Sequence, residues 1–419
     1  MSRPRAAIVV TGSELVRGDR NDLNGPFYAR EALRLGLEPS RIAIVGDRPD
    51  DLLAAIGQGL EADVLLVSGG LGPTHDDRTV ELVAAAVGRR LVVDGILEEE
   101  IGDVSRSFAT RMRRPYADFA PGVTKQATIP EGAISLGLAG TAPGLVVDTG
   151  ACVVVVLPGP PSELQRLWPR ALETAPVQRI LARTDVPTRR VLRVYGVSES
   201  AVARALDEAG GDGDGVEVTI CARDFELHVD VVAEPGADAD AEALIARLRA
   251  PLADYVFSED EVSIEELVLD ACRSCGLTLG TAESCTGGMI AARLTDVPGS
   301  SEVFRGAVVA YANDIKEQEL DVPAVLLAAH GAVSAEVAAA MAHGARQRLG
   351  VDVAVAVTGV AGPGGGTPEK PVGLVFLHAA GPAGELAQQF ELPRDRDWIR
   401  SRATVAALHL LRRLLLPDA

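Results

Sequence analysis

The chain has 419 residues, 47% of them apolar, and a formal net charge of −19. That length suggests two or three domains, and the apolar fraction is enough for several buried cores. So acidic a balance argues against unspecific binding to nucleic acid or to an anionic membrane, both of which need a basic face.

The opening run, Met1 to Gly12, is too short for a signal peptide. Ala6–Thr11, Arg41–Val45 and Val64–Ser68 are apolar runs that each end at glycine, and read as strands. Helical patterns fall at Asn24–Leu35, Asp51–Leu60 and Thr79–Val87. Buried strands interleaved with amphipathic helices predict a parallel sheet covered on both faces. Val153–Leu157 is one more buried run, ending at Pro158-Gly-Pro-Pro161.

The texture then changes. Arg189–Val197 reads as a strand and Glu199–Ala209 as a helix, followed by a flexible turn, Gly210–Gly215. Strands at Val216–Ala222 and Glu226–Val232 and a helix at Ala237–Ala250 complete a small α+β pattern. The acidic stretch Ser258–Glu261 reads as a linker. From Ile264 the alternation returns, with a helix at Ile264–Cys275 and strands at Leu277–Ala282, Gly306–Tyr311, Val351–Thr358 and Val372–Leu377. Helices are expected at Met289–Leu294, Ser334–Leu349 and Asp397–Leu416. No stretch approaches the length of a membrane span. The five cysteines are odd in number and lack framework spacing, which suits a reducing cytoplasm. Cys272 and Cys275 lie in a helical pattern with no second pair, and read as structural.

In open α/β sheets, ligands collect at the carboxyl ends of strands. Three Gly-rich turns sit at such ends. The first, Ser68–Thr79, offers Gly69, Gly70 and Gly72 for close backbone approach to a phosphate, together with Thr74. Asp76 and Asp77 at the following helix start read either as helix caps or as ligands for a divalent cation bridging to phosphate. Asp47, at another strand end, is a further carboxylate. The second turn, Thr281–Gly288, holds Ser284, with the amides of Thr286, Gly287 and Gly288 placed for an oxyanion. The third is Thr358–Thr367, which Lys370 follows as a surface cation or a phosphate contact.

Only three of the 40 basic residues are lysines: Lys125, Lys316 and Lys370. Lysine, unlike arginine, can lose its proton. Ser284 needs a base, and no histidine lies in a recognisable nucleophile motif; His330, His343 and His409 read as structural. Lys316 is the remaining base, with Tyr311 able to relay or orient the proton. To act near neutrality its pKa must fall by about 3 pH units, costing about 4 kcal/mol. Burial alone can do this. Cys285 is the rival nucleophile; in the plainer alternative, Ser284 and Thr286 are caps and Lys316 a solvated cation. Lys125 reads as an ordinary surface cation.

The segments TAESCTGG, GAVVAYANDIK, GAVSAEVAAAMA and AVAVTGVAGPGGGTPEKPVGLVFL closely resemble the CinA-type competence/damage-inducible family across residues 277–378. The carboxyl-terminal domain of that family is similar to nicotinamide mononucleotide amidohydrolases. The resemblance implies Ser284 as nucleophile, Lys316 as base and Tyr311 as its partner, with no cofactor. Asn313, Thr358 and Gly359 would line the pocket. The closing pattern appears as Arg394-Asp-Arg396-Asp-Trp-Ile-Arg400, with arginine where a glycine is usual; Arg396 and Arg400 would meet the substrate phosphate. At the front, TGSELVRG, Asn24, the strand end at Asp47, SGGLGPTHDDRT and LPGPPSEL look like the family's molybdopterin-binding fold. In the family that domain is associated with metal-dependent ADP-ribose pyrophosphatase activity, which implies a divalent metal at Asp47 and Asp77. The middle segment resembles the family's KH-type domain.

The expected fold class is therefore α/β, with two α/β domains (1–170 and 259–419) joined by a small α+β domain (171–258). The expected function is a cytoplasmic hydrolase of pyridine-nucleotide salvage acting on small nucleotides. No direct nucleic acid or membrane partner is expected. The resemblance implies a homo-oligomer, a dimer being one form. A pterin-binding or recombination-associated protein without enzymatic activity is the alternative.

Overall fold

The computed structural model describes residues 3–213 and 215–417; Met1 and Ser2 of the opening run, Asp214 of the 210–215 turn and residues 418 and 419 lie outside the described residues. The chain divides into two compact units. The first holds the residues up to Thr188 together with Glu234–Gly236; the second holds Arg189–Ala233 and the residues from Ala237 on.

In the first unit the strands are β1 (Arg5–Thr11), β2 (Glu38–Val45), β3 (Val64–Ser68), a short pair β4 (Leu91–Val93) and β5 (Thr128–Pro130), then β6 (Ile134–Leu138), β7 (Pro143–Asp148) and β8 (Val153–Leu157). The main sheet has the order β2-β1-β3-β8-β7-β6. β1 pairs in parallel with β2 and β3, and β3 with β8. β7 and β6 run antiparallel, which corrects the expectation of a wholly parallel sheet. The reason is connection length: a parallel return needs a crossover of a dozen or more residues, and the links between β6, β7 and β8 are only four residues long. Successive side chains of a strand face opposite ways. So Leu65, Val67, Val154 and Val156 pack on one face against Leu52, Ile56 and Val83, while Leu66, Val153 and Val155 pack on the other against Tyr28, Leu164 and Trp168.

In the second unit, β9 (Thr188–Val194, from Arg189 on), β10 (Val216–Arg223), β11 (Glu226–Ala233) and β12 (Val256–Ser258) form a sheet of order β10-β11-β9-β12. The helices Glu199–Ala209 and Asp238–Leu252 complete its core. Residues 258–261 join the small sheet to the next: Ser258 ends a paired strand and Glu261 forms an ion pair with Arg189. The next sheet contains β13 (Leu279–Glu283), β14 (Phe304–Val309), β15 (Val353–Gly359), β16 (Leu374–Gly381) and β17 (Gly384–Glu391), in the order β14-β13-β15-β16-β17. β13 is parallel to β14 and β15, whereas β16 and β17 are antiparallel, the last two joined by a two-residue turn.

Buried charge ties the small sheet of this unit to the helix Arg396–Leu415. The Glu226 carboxylate accepts hydrogen bonds from Arg193 at 2.5 Å and from His409 Nε2 at 2.9 Å, and the Tyr195 ring stacks on His409 at 3.6 Å. Burial holds the His409 pKa down to about 4, so the ring is neutral at pH 7. Among the described residues, no helix is long and apolar enough to cross a membrane.

Candidate active site

β13 is buried along its whole length and delivers Ser284 to the turn that opens the short helix Met289–Thr295. The Ser284 amide donates to the Val357 carbonyl of β15 at 2.9 Å, which fixes the start of the turn. Gly287 and Gly288 then take φ of +62° and +97°, a region that L side chains rarely adopt. Lys316 enters from the helix Asn313–Leu320 and is 1% exposed. Its Nζ lies 2.8 Å from the Ala310 carbonyl, 3.2 Å from Ser284 Oγ and 3.3 Å from the Tyr311 carbonyl.

This geometry accommodates a neutral amine as well as an ammonium. Carbonyl oxygens only accept, so the two of them can occupy both N–H bonds of an uncharged –NH2 group. The lone pair is then left for the Ser284 hydroxyl. Burial pulls the Lys316 pKa below the ordinary lysine value, in the direction a base requires. Cys285 points the other way: it is buried in the apolar core, and burial pushes its thiol up to about 12. A thiol so held is almost wholly protonated at neutral pH and is a poor nucleophile.

The turn differs from expectation in how its amides are used. The Gly287 amide donates to the Ser284 carbonyl at 3.1 Å, and the Gly288 amide to Glu283 Oε2 at 2.9 Å. Of the three expected oxyanion donors, only the Thr286 amide lacks an acceptor among the described residues. Glu283 went unrecognised in the sequence. Its carboxylate is fully buried and also accepts from the Ile290 and Ala291 amides, gathering the first turn of the helix onto one side chain. The available signal was an acidic residue ending an apolar strand just before two glycines.

Tyr311 meets Lys316 through its carbonyl. Its phenol is exposed and accepts a hydrogen bond from Arg396 Nη2 at 2.8 Å. Arg396, which begins the helix Arg396–Leu415, also donates to the Gly362 carbonyl at 2.7 Å. Arg400, one turn on, donates to the carbonyls of Cys285 and Thr286, both at 3.0 Å, and so braces the turn that carries Ser284. Arg394 lies over the Trp398 ring. Thr358 is buried, its hydroxyl donating to the Ala332 carbonyl at 2.7 Å, and an added Cβ at Gly359 would meet Cys285 Sγ at 3.2 Å. Asn313 is exposed at its helix start. Lys370 hydrogen-bonds the His330 carbonyl.

In the first unit, Asp47 accepts from the Ser13 amide at 2.9 Å, the Ser13 hydroxyl at 2.6 Å and the Thr11 hydroxyl at 3.1 Å. Added Cβ atoms at Gly69 and Gly70 would strike the Thr11 carbonyl at 2.4 Å and Thr79 Oγ1 at 2.3 Å, so this loop packs directly against the end of β1. Gly72 is equally constrained by Asp77, 2.4 Å from such a Cβ. The helix Thr79–Ala86 is preceded by Arg78 and has no side-chain cap, which removes the capping reading of Asp76 and Asp77. The Thr74 hydroxyl instead sits between both carboxylates, with one proton to give to either, and Asp77 also accepts from the Thr74 amide at 2.9 Å. Lys125 reaches the carbonyls of Gly72 and Thr74, a correction to its reading as an ordinary surface cation. Asp47 and Asp77 share no hydrogen-bond partner. Their donor set is carboxylate and hydroxyl oxygen, which fits a hard divalent ion that keeps most of its water or phosphate ligands.

Fold and site together define an α/β protein with a front sheet, a small middle sheet and a rear domain carrying a serine–lysine pair. Three family models match it in that order: a probable molybdopterin binding domain at residues 7–176, the damage-inducible protein CinA KH domain at 189–258 and the CinA C-terminal domain at 261–415. A CinA-like protein of Mycolicibacterium paratuberculosis is 46% identical over 431 residues, covering 98% of each chain. One from Mycobacterium tuberculosis is 45% identical over 421 residues, covering 98% of this chain and 97% of its own. A solved structure, the competence/damage inducible protein CihA from Agrobacterium tumefaciens, is 44% identical, covers 38% of this chain and 99% of its own, and has a TM-score of 0.35. The chain belongs to the CinA-like family.

Proposed function

We propose that the rear domain deamidates nicotinamide mononucleotide to nicotinate mononucleotide and ammonia. The observation that carries this reading is the buried Lys316 amine 3.2 Å from Ser284 Oγ, with two backbone carbonyls beside it. Ser284 Oγ attacks the carboxamide carbon as its proton passes to Lys316 Nζ. The Thr286 amide faces the developing oxyanion. Collapse breaks the C–N bond, and the leaving nitrogen takes the proton from Lys316 and departs as ammonia. Water, deprotonated by Lys316, then cleaves the acyl-serine ester, and the proton returns to Ser284. Asn313 and Gly359 line the pocket, while Thr358, buried with its hydroxyl on the Ala332 carbonyl, supports it from behind. Arg396 receives the substrate phosphate with Tyr311 beside it, whereas Arg400 braces the Ser284 turn.

Lys316 must be neutral to act. The rate should therefore rise with pH through a lysine pKa lowered by burial, below the ordinary 10.5. Lys316→Arg keeps the charge but cannot deprotonate, and should cost about 10²–10⁴-fold in ammonia release, the usual contribution of a general base. Near-normal turnover by Lys316→Arg would sink the dyad.

A second reading rests on the front loop: Asp47 follows β2, and the Gly69–Gly72 backbone and Asp77 follow β3, all at carboxyl ends of strands. Here the unit would cleave the pyrophosphate of ADP-ribose with a divalent metal held by Asp47 and Asp77. The ion, when bound, would neutralise phosphate charge; the chain's own part is to cradle the phosphates on the loop amides. Metal-dependent nucleotide release that disappears in Asp77→Asn tests this. If neither substrate is consumed, the non-enzymatic pterin-binding or recombination-associated reading stands. We place the protein in the cytoplasm, as a homo-oligomer working on small nucleotides.

A further inference from the structure

His343 lies on the helix Ala335–Leu349, and His378 and Glu385 lie on the hairpin strands β16 and β17. The fold brings one ligand atom of each within 4.8 Å of the other two, the only such set of three His, Cys, Asp or Glu groups among the described residues. His378 Nε2 is 3.0 Å from Glu385 Oε2, and His343 Nε2 is 3.4 Å from Glu385 Oε1. The two imidazoles face different oxygens of the one carboxylate, at separations near the ~3.3 Å that parts neighbouring ligand atoms on a tetrahedral ion with bonds of about 2.0–2.1 Å.

The platform is rigid. In the β16–β17 register Glu385 stands opposite Ala380, so it is the diagonal neighbour of His378 on the same face of the sheet. The helix bearing His343 packs on β16. His378 is nearly buried, whereas His343 and Glu385 have 44% and 45% of their side chains exposed, which leaves a side open to solvent. The cluster is separate from the Ser284 site: His378 pairs with Ala356 of β15, which in turn pairs with Ala282 of β13, so two strand spacings, about 10 Å, lie between His378 and the strand that leads to Ser284.

We propose that His343, His378 and Glu385 bind a divalent transition ion of the zinc class. Two imidazole nitrogens and a carboxylate oxygen would hold three positions, with water in the fourth. Two imidazoles and one carboxylate are a donor set that zinc sites use when a position is left open.

The experiment uses the full-length protein, stripped with a chelator and titrated with Co²⁺, whose visible absorption reports coordination number. Tight uptake of one Co²⁺ with an intense four-coordinate band, displaced by Zn²⁺, is expected. Replacing an outer partner of a metal ligand already costs 10–100-fold in affinity, so His343→Asn and Glu385→Gln should each weaken binding by more than about 100-fold. His343 is half exposed, so its replacement is compatible with folding, and thermal melting of both variants checks this. A band that survives in both variants, including metal held at the front carboxylates, overturns the proposal. So does a wild-type protein that takes up no tight Co²⁺, which would make the cluster a hydrogen-bonded one only.

Discussion

Two turns of this chain begin alike, each following a buried strand and each offering glycines to a ligand, yet they are built in opposite ways. After β3 the acidic groups Asp76 and Asp77 stay at the surface and are satisfied by Thr74, with Lys125 holding the loop carbonyls from outside. After β13 the acidic group Glu283 is fully buried and takes three backbone amides, and Lys316 is buried with it. Depth separates them. A buried lysine is pushed toward its neutral form and can serve as a base; a lysine at the rim holds backbone in place. The first turn suits holding anions and cations from solvent, the second suits moving a proton.

The sharpest way to break this comparison is at the nucleophile. Ser284→Ala should lower ammonia release from nicotinamide mononucleotide by more than ~10⁴-fold, as for nucleophiles that act as a unit with their base. Cys285→Ala should keep most of the rate, since the thiol faces the core. Loss confined to the cysteine variant would reverse the assignment. A smaller effect is expected at Glu283→Gln, because an amide cannot accept from three N–H groups as a carboxylate does. Thermal and chemical unfolding should show the second unit weakened by about 2–3 kcal/mol, with turnover falling alongside. An unchanged melt would mean that the buried carboxylate does not organise the turn. The smallest effect is expected at Lys125→Met, which should cost the first unit about 1 kcal/mol or less. It should leave deamidation untouched; a change in ammonia release there would show that the two turns are not independent.

Much of the architecture was legible. Val64–Ser68 and Val153–Leu157 are uninterrupted apolar runs, and such runs become central strands buried on both faces. The antiparallel edges were harder. β17 turns Glu385, Gln389 and Glu391 outward and carries Gln388 on its inner face, and so gives no apolar run. Ile134–Leu138 contains a glycine and a register shift. The helix Gly95–Met112 is amphipathic but packed with Glu and Arg, and the sequence reading passed over it. At the site, Ser284 and Lys316 were readable because each is chemically unusual where it stands. The commitment of the Gly287 and Gly288 amides was not, since it depends on where Glu283 folds back. The three groups at 343, 378 and 385 meet only through pairing of β16 with β17 and packing of a helix.

The thrift with lysine also has a practical side. Amine-directed labels and cross-linkers meet only three side chains in this chain. Lys125 and Lys370 are half-buried and engaged with carbonyls, and Lys316 is sealed at 1% exposure. Acylation kinetics followed by peptide mass would therefore resolve into a few separable events. The slowest, at Lys316, would time the opening of the structure around its amine.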